Sequence, residues 1–527
     1  MKKIIAFTLL GMAAIAASAQ DMYDGLLYSD VNQYGTARSI SLGNAMTALG
    51  GDLGSITINP AGSAVAGYSQ FTITPSLSIS SVRASYAPVA YQDFTAESTT
   101  SYTKFALPNM GFVFDYQTGR SYGLKSMSFG IVCNASNIYA DRMDIVGKCD
   151  QTSMMGAMGA AADGIHSGYL QGYNSGYGTW TDVLAYQSGM IATYMDAHDD
   201  SYVGASEQIY DEEMARIIRV GGPLYQNNYR QRSGSRNDLV LNMGMNFSDR
   251  LFLGVNIGVP YLNYTESISQ TEEAVNTSDF PLTIDGYDTY FDSARERYAL
   301  AVNGTGIYAK LGVIFLPVDG LRIGAAVQTP TLMTITERYR WDAVCNFVGY
   351  NGTLCETPDG EYTYNLTTPA SFNVGAAYTI GQFGLVSADF ERTKYRRMKF
   401  SDYHSDGFYS SADSWSAENS EILNYAGSTN IFRLGAEARI TPNFSLRAGY
   451  NYKVYSSPDY KDVTQAFSFG AGYASNGAFF ADAAVRSTIY PQSWYYPYDD
   501  YLDDTRSPEI MLDKTIFDIV LTVGWRF

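Results

Sequence analysis

What this chain lacks narrows its class first. Beyond residue 19 no run of about 18 apolar residues occurs, the length a helix needs to cross a bilayer, and mean hydropathy is only −0.14. A helical membrane protein is excluded on that ground. Histidine is scarce, three in 527 residues, so a hydrolase with a histidine base would have to use His166, His198 or His404. All three fall in predicted outer loops, and the adjacent pair His166-Ser167 is not a triad; an enzyme is not expected. Basic residues are outnumbered 35 to 53, for a net charge of −18, which argues against a nucleic-acid partner, since that needs a basic footprint. Asp199, Asp200, Asp211, Glu212 and Glu213 lack the regular oxygen spacing of a calcium loop and read as a solvated rim. No metal and no cofactor is expected.

Cysteine is also scarce: Cys133, Cys149, Cys345 and Cys355. Their spacing fits no zinc pattern. An even number in an exported chain reads as disulfides. Cys345 is expected to pair with Cys355 across the turn at Asn351-Gly352, and Cys133 with Cys149.

Export is written in the first residues. Lys2 and Lys3 precede an apolar stretch from Ile4 to Ala17, and Ala17-Ser18-Ala19 supplies a small-x-small cleavage pattern. Residues 1–19 are therefore expected to be a signal peptide and Gln20 the mature start. An exported chain without spanning helices has one way to satisfy its backbone in lipid, a closed barrel. The 44 Tyr and 49 Gly, with aromatics at 14%, suit a barrel with aromatic girdles.

Period-two patterning carries that reading. Phe517, Ile519, Leu521, Val523, Trp525 and Phe527 alternate with Asp518, Val520, Thr522, Gly524 and Arg526, an apolar face towards lipid and a polar or small face, Val520 apart, towards the lumen. The same alternation recurs at Leu239–Phe247, Leu251–Val259, Phe432–Ile440 and Phe444–Val454. Strands are predicted near 71–82, 106–117, 126–138, 237–247, 250–266, 297–316, 320–340, 361–380, 383–399, 430–440, 443–455, 464–474, 477–490 and 513–527. Short turns such as Ser248-Asp249 and Gly381-Gln382 alternate with long polar loops at 139–236, 267–296, 400–429 and 491–512. The expected fold is an all-β, 14-stranded antiparallel barrel over 71–527, with both termini periplasmic. Phe527 ends the lipid-facing row and resembles the terminal signal read by the barrel-assembly machinery.

Three local features stand out. Within 297–316 the apolar phase switches from even residues (Tyr298, Leu300, Val302) to odd ones (Ile307, Leu311, Val313), which predicts a β-bulge at Asn303–Gly306. Cys133-Asn134-Ala135-Ser136-Asn137 is too polar to face lipid and predicts a kink or a paired patch. Within the long loop, Leu184, Met190, Ile191, Tyr194 and Met195 bring apolar groups together at roughly helical spacing. They form either a ligand-capturing surface, for which methionine is well suited, or that loop's own small core.

Residues 20–70 do not alternate. Ser39 to Ala48 is predicted to be a short helix ending at Gly50-Gly51, followed by the rigid turn Asn59-Pro60-Ala61-Gly62. The order Gly35, Ala37, Arg38, Gly43, Ala45, Ala48, Asp52, then Asn59-Pro60-Ala61-Gly62 resembles the hatch of the FadL/TodX-type outer-membrane transporters of long-chain fatty acids and hydrocarbons. The resemblance implies a barrel plugged by residues 20–70, with Gly35, Arg38, Asp52, Asn59, Pro60, Ala61 and Gly62 in the gating segment. It implies passive passage of a hydrophobic compound, a long-chain fatty acid by expectation, with capture on outer loops and sideways exit at a kinked third strand. The expected partners are outer-membrane lipids, the hydrophobic ligand and the assembly machinery, and the expected state is a monomer. The other reading, from members of the family that assist secretion, is a non-transporting barrel that docks partner proteins.

Overall fold

The computed structural model describes residues 21–87, 96–194, 199–212, 215–284, 286–403, 414–475, 478–503 and 505–527. The proposed signal peptide lies outside them. Fourteen strands close into one antiparallel barrel. They are β1 (Gln70–Ala87), β2 (Ala96–Gln117), β3 (Leu124–Cys149), β4 (Leu224–Phe247), β5 (Leu251–Ala274) and β6 (Tyr287–Val318). Three composite strands follow, β7 (321–347), β8 (360–380) and β9 (384–402), each broken once near mid-height. The circuit ends with β10 (Ser428–Thr441), β11 (Phe444–Ser456), β12 (Lys461–Ala474), β13 (Phe479–Ile489) and β14 (Glu509–Arg526). β14 pairs with β1 from Arg526↔Gln70 to Glu509↔Ala87, so no sheet edge is left at the seam.

Alternation places the belt. Phe517, Ile519, Leu521 and Trp525 are exposed on the outer face, while Asp518 and Thr522 are fully buried inside. Equivalent apolar rows, such as Leu239 and Leu241, Leu311 and Phe315, and Phe432 and Leu434, continue around the barrel. This is a membrane-spanning barrel of the outer-membrane type, because in lipid only a closed ladder satisfies every backbone group. The short turns lie at one end; that at Ser248-Asp249 is tight, with φ of 56° at both residues.

Two predicted loops are shorter than expected. Residues 139–149 and 224–236 continue β3 and β4 as one long ladder, and 267–274 and 287–296 continue β5 and β6. These extensions stand above the apolar belt, where water or loops lie on the outer face, so greasy-out alternation no longer marks them. The predicted bulge at Asn303–Gly306 is absent. β6 pairs with β5 in one register from Ser293↔Glu273 to Phe315↔Leu251. Even residues face inward throughout; Leu300 and Val302 point into an apolar upper lumen, whereas Leu311 and Phe315 point out to lipid. The environment changes sides, not the strand. The extra residue lies on the neighbouring β7, at 329–331 around Pro330.

The disulfide expectations are also overturned: none of the four cysteines is joined in a disulfide. Cys133 and Cys149 lie on the single strand β3, sixteen residues and roughly 50 Å apart at about 3.3 Å per residue. Cys355 pairs opposite Ala343, leaving Cys345 two positions out of register; such diagonal neighbours stand about 7–8 Å apart, beyond disulfide reach.

Candidate functional site

Residues 21–69 lie inside the barrel, and their local chemistry explains how they hold shape there. α1 (Met22–Ser29) opens with a capping box between Asp21 and Asp24. α2 (Ala37–Ser41) is capped by Thr36 and ended by Gly43 and Asn44 at φ 64° and 60°. It is thus shorter than the predicted helix at Ser39–Ala48, because those two residues turn left-handed. Ile40, Leu42, Ala45 and Leu49 are buried all the same. Asp52 caps α3 (Leu53–Ile56), taking hydrogen bonds from the Thr36 hydroxyl at 2.7 Å and the Gly54 N–H at 2.8 Å. Burial pushes its carboxyl above the usual range, opposed by nearby Arg38. Gly35 runs tightly against Gly54 and Ser39.

The wall meets this segment with polar side chains. Asn59 donates to the carbonyls of Thr47 (2.6 Å) and Val313 (3.1 Å), and its own Oδ1 accepts from Ala61 N–H at 3.1 Å. Pro60 starts a 3₁₀ turn, Pro60–Val65. Asn242 donates to the Pro60 carbonyl, Asn256 to Ile56, Lys310 to Thr57 and Asn373 to Ile58, at 2.8–3.0 Å. On the opposite side Arg38 bonds Glu437 at 3.2 Å; Glu437 also accepts from Arg447 (2.7 Å), which reaches Asp482 (2.5 Å). Contact is backbone-close: a Cβ at Gly312 would overlap Asn59, and one at Gly254 would overlap Pro60 and Ala61.

Above this packed level the β2–β3 ladder is incomplete. The β2–β3 ladder runs from Gln117↔Ser126 only to Asn109↔Asn134. Beyond it, β2 pairs with β1 alone and β3 with β4 alone. Pro108 has no N–H to offer at the point where pairing stops, and Ser136 is the extra residue in the β3–β4 register. β3 bends inward here: Asn134 to Ala140 are all buried. Its freed backbone is taken up by the N-terminal segment, where Asn32 N–H bonds Ser136 O at 2.9 Å and Tyr34 N–H bonds Ala135 O at 3.2 Å. The separation starts beside Phe105, 71% exposed, and Leu107, on the lipid-facing row. Side chains reach across instead: Tyr102 to Ser233 at 3.4 Å, Lys104 to the Tyr139 and Gly234 carbonyls, and Arg142 of β3 over the Tyr102 ring at 5.2 Å, while Tyr102 and Ala106 pack against Ala135, Ile138 and Ala140.

The upper lumen is aromatic. α1 packs Met22 and Tyr28 against Tyr139, Tyr264, Tyr364, Phe400 and Trp415. Above it, the described residues of 150–223 fold into a cap with α4 (Met154–Ala162), α5 (Trp180–Gln187) and two short antiparallel strand pairs. Between this cap, residues 281–284 and the end of β7 lies a cavity of about 1000 Å³. Of the loop residues singled out from sequence, Leu184 and Met190 belong to the core of the cap, Ile191 touches both core and cavity, and Tyr194 is half-buried. Met195 lies outside the described residues, as do His198 and His404. His166 caps a short turn, accepting from Gly168 N–H at 3.0 Å.

The polar stretch 133–137 was visible in sequence as a kink or a paired patch, and it is the bend that forms. Pro108 was missed, although a proline inside a predicted central strand already signals a ladder that cannot continue. Glu207, on the cavity wall, gave no sequence signal.

No family model and no curated protein matches the chain. Solved structures do. The Pseudomonas putida toluene transporter TodX aligns over 94% of this chain and 99% of its own, at 11% identity and a TM-score of 0.51. A FadL homologue of Pseudomonas aeruginosa covers the same shares at 12% identity and a TM-score of 0.49. The Ralstonia pickettii toluene transporter TbuX follows at 13% identity and a TM-score of 0.44. At these identities it is the fold that is shared, and the chain has the barrel architecture of TodX.

Proposed function

We propose that this protein passes hydrophobic compounds across the outer membrane without an energy source, with long-chain fatty acids the expected cargo. The observation that supports it best is a packed lower lumen directly beneath a break in the wall between β2 and β3. A greasy molecule entering from above meets polar plug contacts below and lipid to the side, so lateral exit is the favourable route. The outer cavity serves capture, and Asn59-Pro60-Ala61-Gly62 with Gly35, Arg38 and Asp52 acts as the hatch. The likeness to TodX, a toluene transporter, is consistent with this reading.

Closing the side tests it. Pro108→Thr with Ser136 deleted restores a ladder partner and removes the extra residue. Uptake of labelled palmitate should fall at least tenfold at equal folded surface amount. Unchanged uptake would refute lateral exit. Uptake never above that of cells lacking the protein would favour the partner-docking barrel instead.

A further inference from the structure

The outer cavity has a chemistry that sorts ligands. Its apolar wall includes Ile191, Leu282 and Phe347, and Gln171, Gln187 and Gln208 also line it, Gln208 donating to the Pro281 carbonyl at 3.0 Å. Among the described residues lining it there is no lysine, arginine or histidine, and the single charged side chain is Glu207. Both Glu207 oxygens are already used, one by Gly204 N–H at 2.9 Å and one by the Tyr501 hydroxyl at 3.0 Å. An ionised carboxylate brought into this cavity would meet no cation among the described lining residues, whose one charged member is itself an acid. That combination is costly. An amide or alcohol head meets carboxamides and hydroxyls able to donate and accept, and the volume lies at the upper end of ligand pockets, about 300–1,000 Å³.

Resting on the transport reading above, we propose that this cavity captures an uncharged long-chain amphiphile, an amide or alcohol, in preference to the ionised fatty acid of equal length. A fatty acid enters it in the protonated form.

The full chain in amphipol, loaded with the neutral fluorophore N-phenyl-1-naphthylamine, supplies the test. At pH 8, hexadecanamide and hexadecanol should displace the probe at concentrations at least tenfold below palmitate. Thr193→Arg, which adds a cation to the lining, should bring palmitate within about threefold of the amide. Ala205→Trp, which fills the cavity, should abolish probe binding while heat-modifiable mobility shows a folded barrel. Palmitate displacing as well as the amide in the unmutated protein overturns the proposal, as does probe binding undiminished in Ala205→Trp. Uptake in cells separates the two readings. Uptake with palmitate preferred sinks the ligand class but leaves transport standing. Binding preference for the amide with uptake of neither compound upholds the ligand class and removes transport.

Discussion

At the scale of single residues, Asn59 ties the N-terminal segment to itself and to the wall, holding Thr47, Val313 and Ala61 at once. Leaving such buried carbonyls without a donor costs about 1–3 kcal/mol each, enough to loosen the segment but not a barrel held by fourteen ladders. Asn59→Ala with Pro60→Ala should therefore alter labelled fatty-acid uptake and raise leakage of small hydrophilic solutes at normal surface abundance. Uptake and leakage matching the unmutated protein would remove this turn from the mechanism. Gly254→Val should act similarly, because its side chain would occupy the place of Pro60 and Ala61. The cysteines make a separate prediction: alkylation of denatured, unreduced protein should label Cys133, Cys149, Cys345 and Cys355 alike. Peptides linked through sulfur in a mass spectrum would contradict the strand geometry.

Among the elements, β14 does the closing. Phe527 N–H bonds Ser69 O at 3.0 Å, Ser69 N–H bonds Phe527 O at 3.1 Å, and the Phe527 ring stacks on Phe112 at 5.8 Å. Phe527→Asn keeps the backbone pairing but deletes the last apolar group of the outer row. The folded, heat-modifiable fraction in the outer membrane should fall several-fold; an unchanged fraction would show that the terminal ring is dispensable. β2 and β3 carry the opposite design, a ladder deliberately left unfinished. Proline ends one partner, an extra serine bends the other, and the backbone so released is bonded by Asn32 and Tyr34.

On the scale of the whole molecule, the lower lumen is filled by a segment that contributes no strand to the wall. Hydrogen bonds from β4 to β8 and from β10 hold it in place, and none of the barrel ladders depends on it. Deleting residues 21–67 should leave a foldable barrel and turn a nearly silent protein into an open channel in planar bilayers. Conductance equal to that of the full chain, with folding confirmed by heat-modifiable mobility, would mean that the segment does not close the lumen.

Sequence alone determined the barrel and its fourteen strands, because inside a bilayer every outward residue must be apolar and every second residue points outward. It also marked 133–137 as a kink or a paired patch, since Cys133-Asn134-Ala135-Ser136-Asn137 is too polar to face lipid, and the structure decided for the bend. It failed where that constraint lapses. Above the belt the strands lengthen unmarked, the apolar side of β6 moves from outside to inside, and a phase switch imitates a bulge. The cysteine pairing failed because spacing along a chain says nothing of register between strands. The break in the β2–β3 ladder, the wall contacts of Asn59 and the lining that gathers around Glu207 were decided only by tertiary structure. Each depends on which residues of distant strands converge, and that is set by strand register and barrel closure rather than by any local pattern.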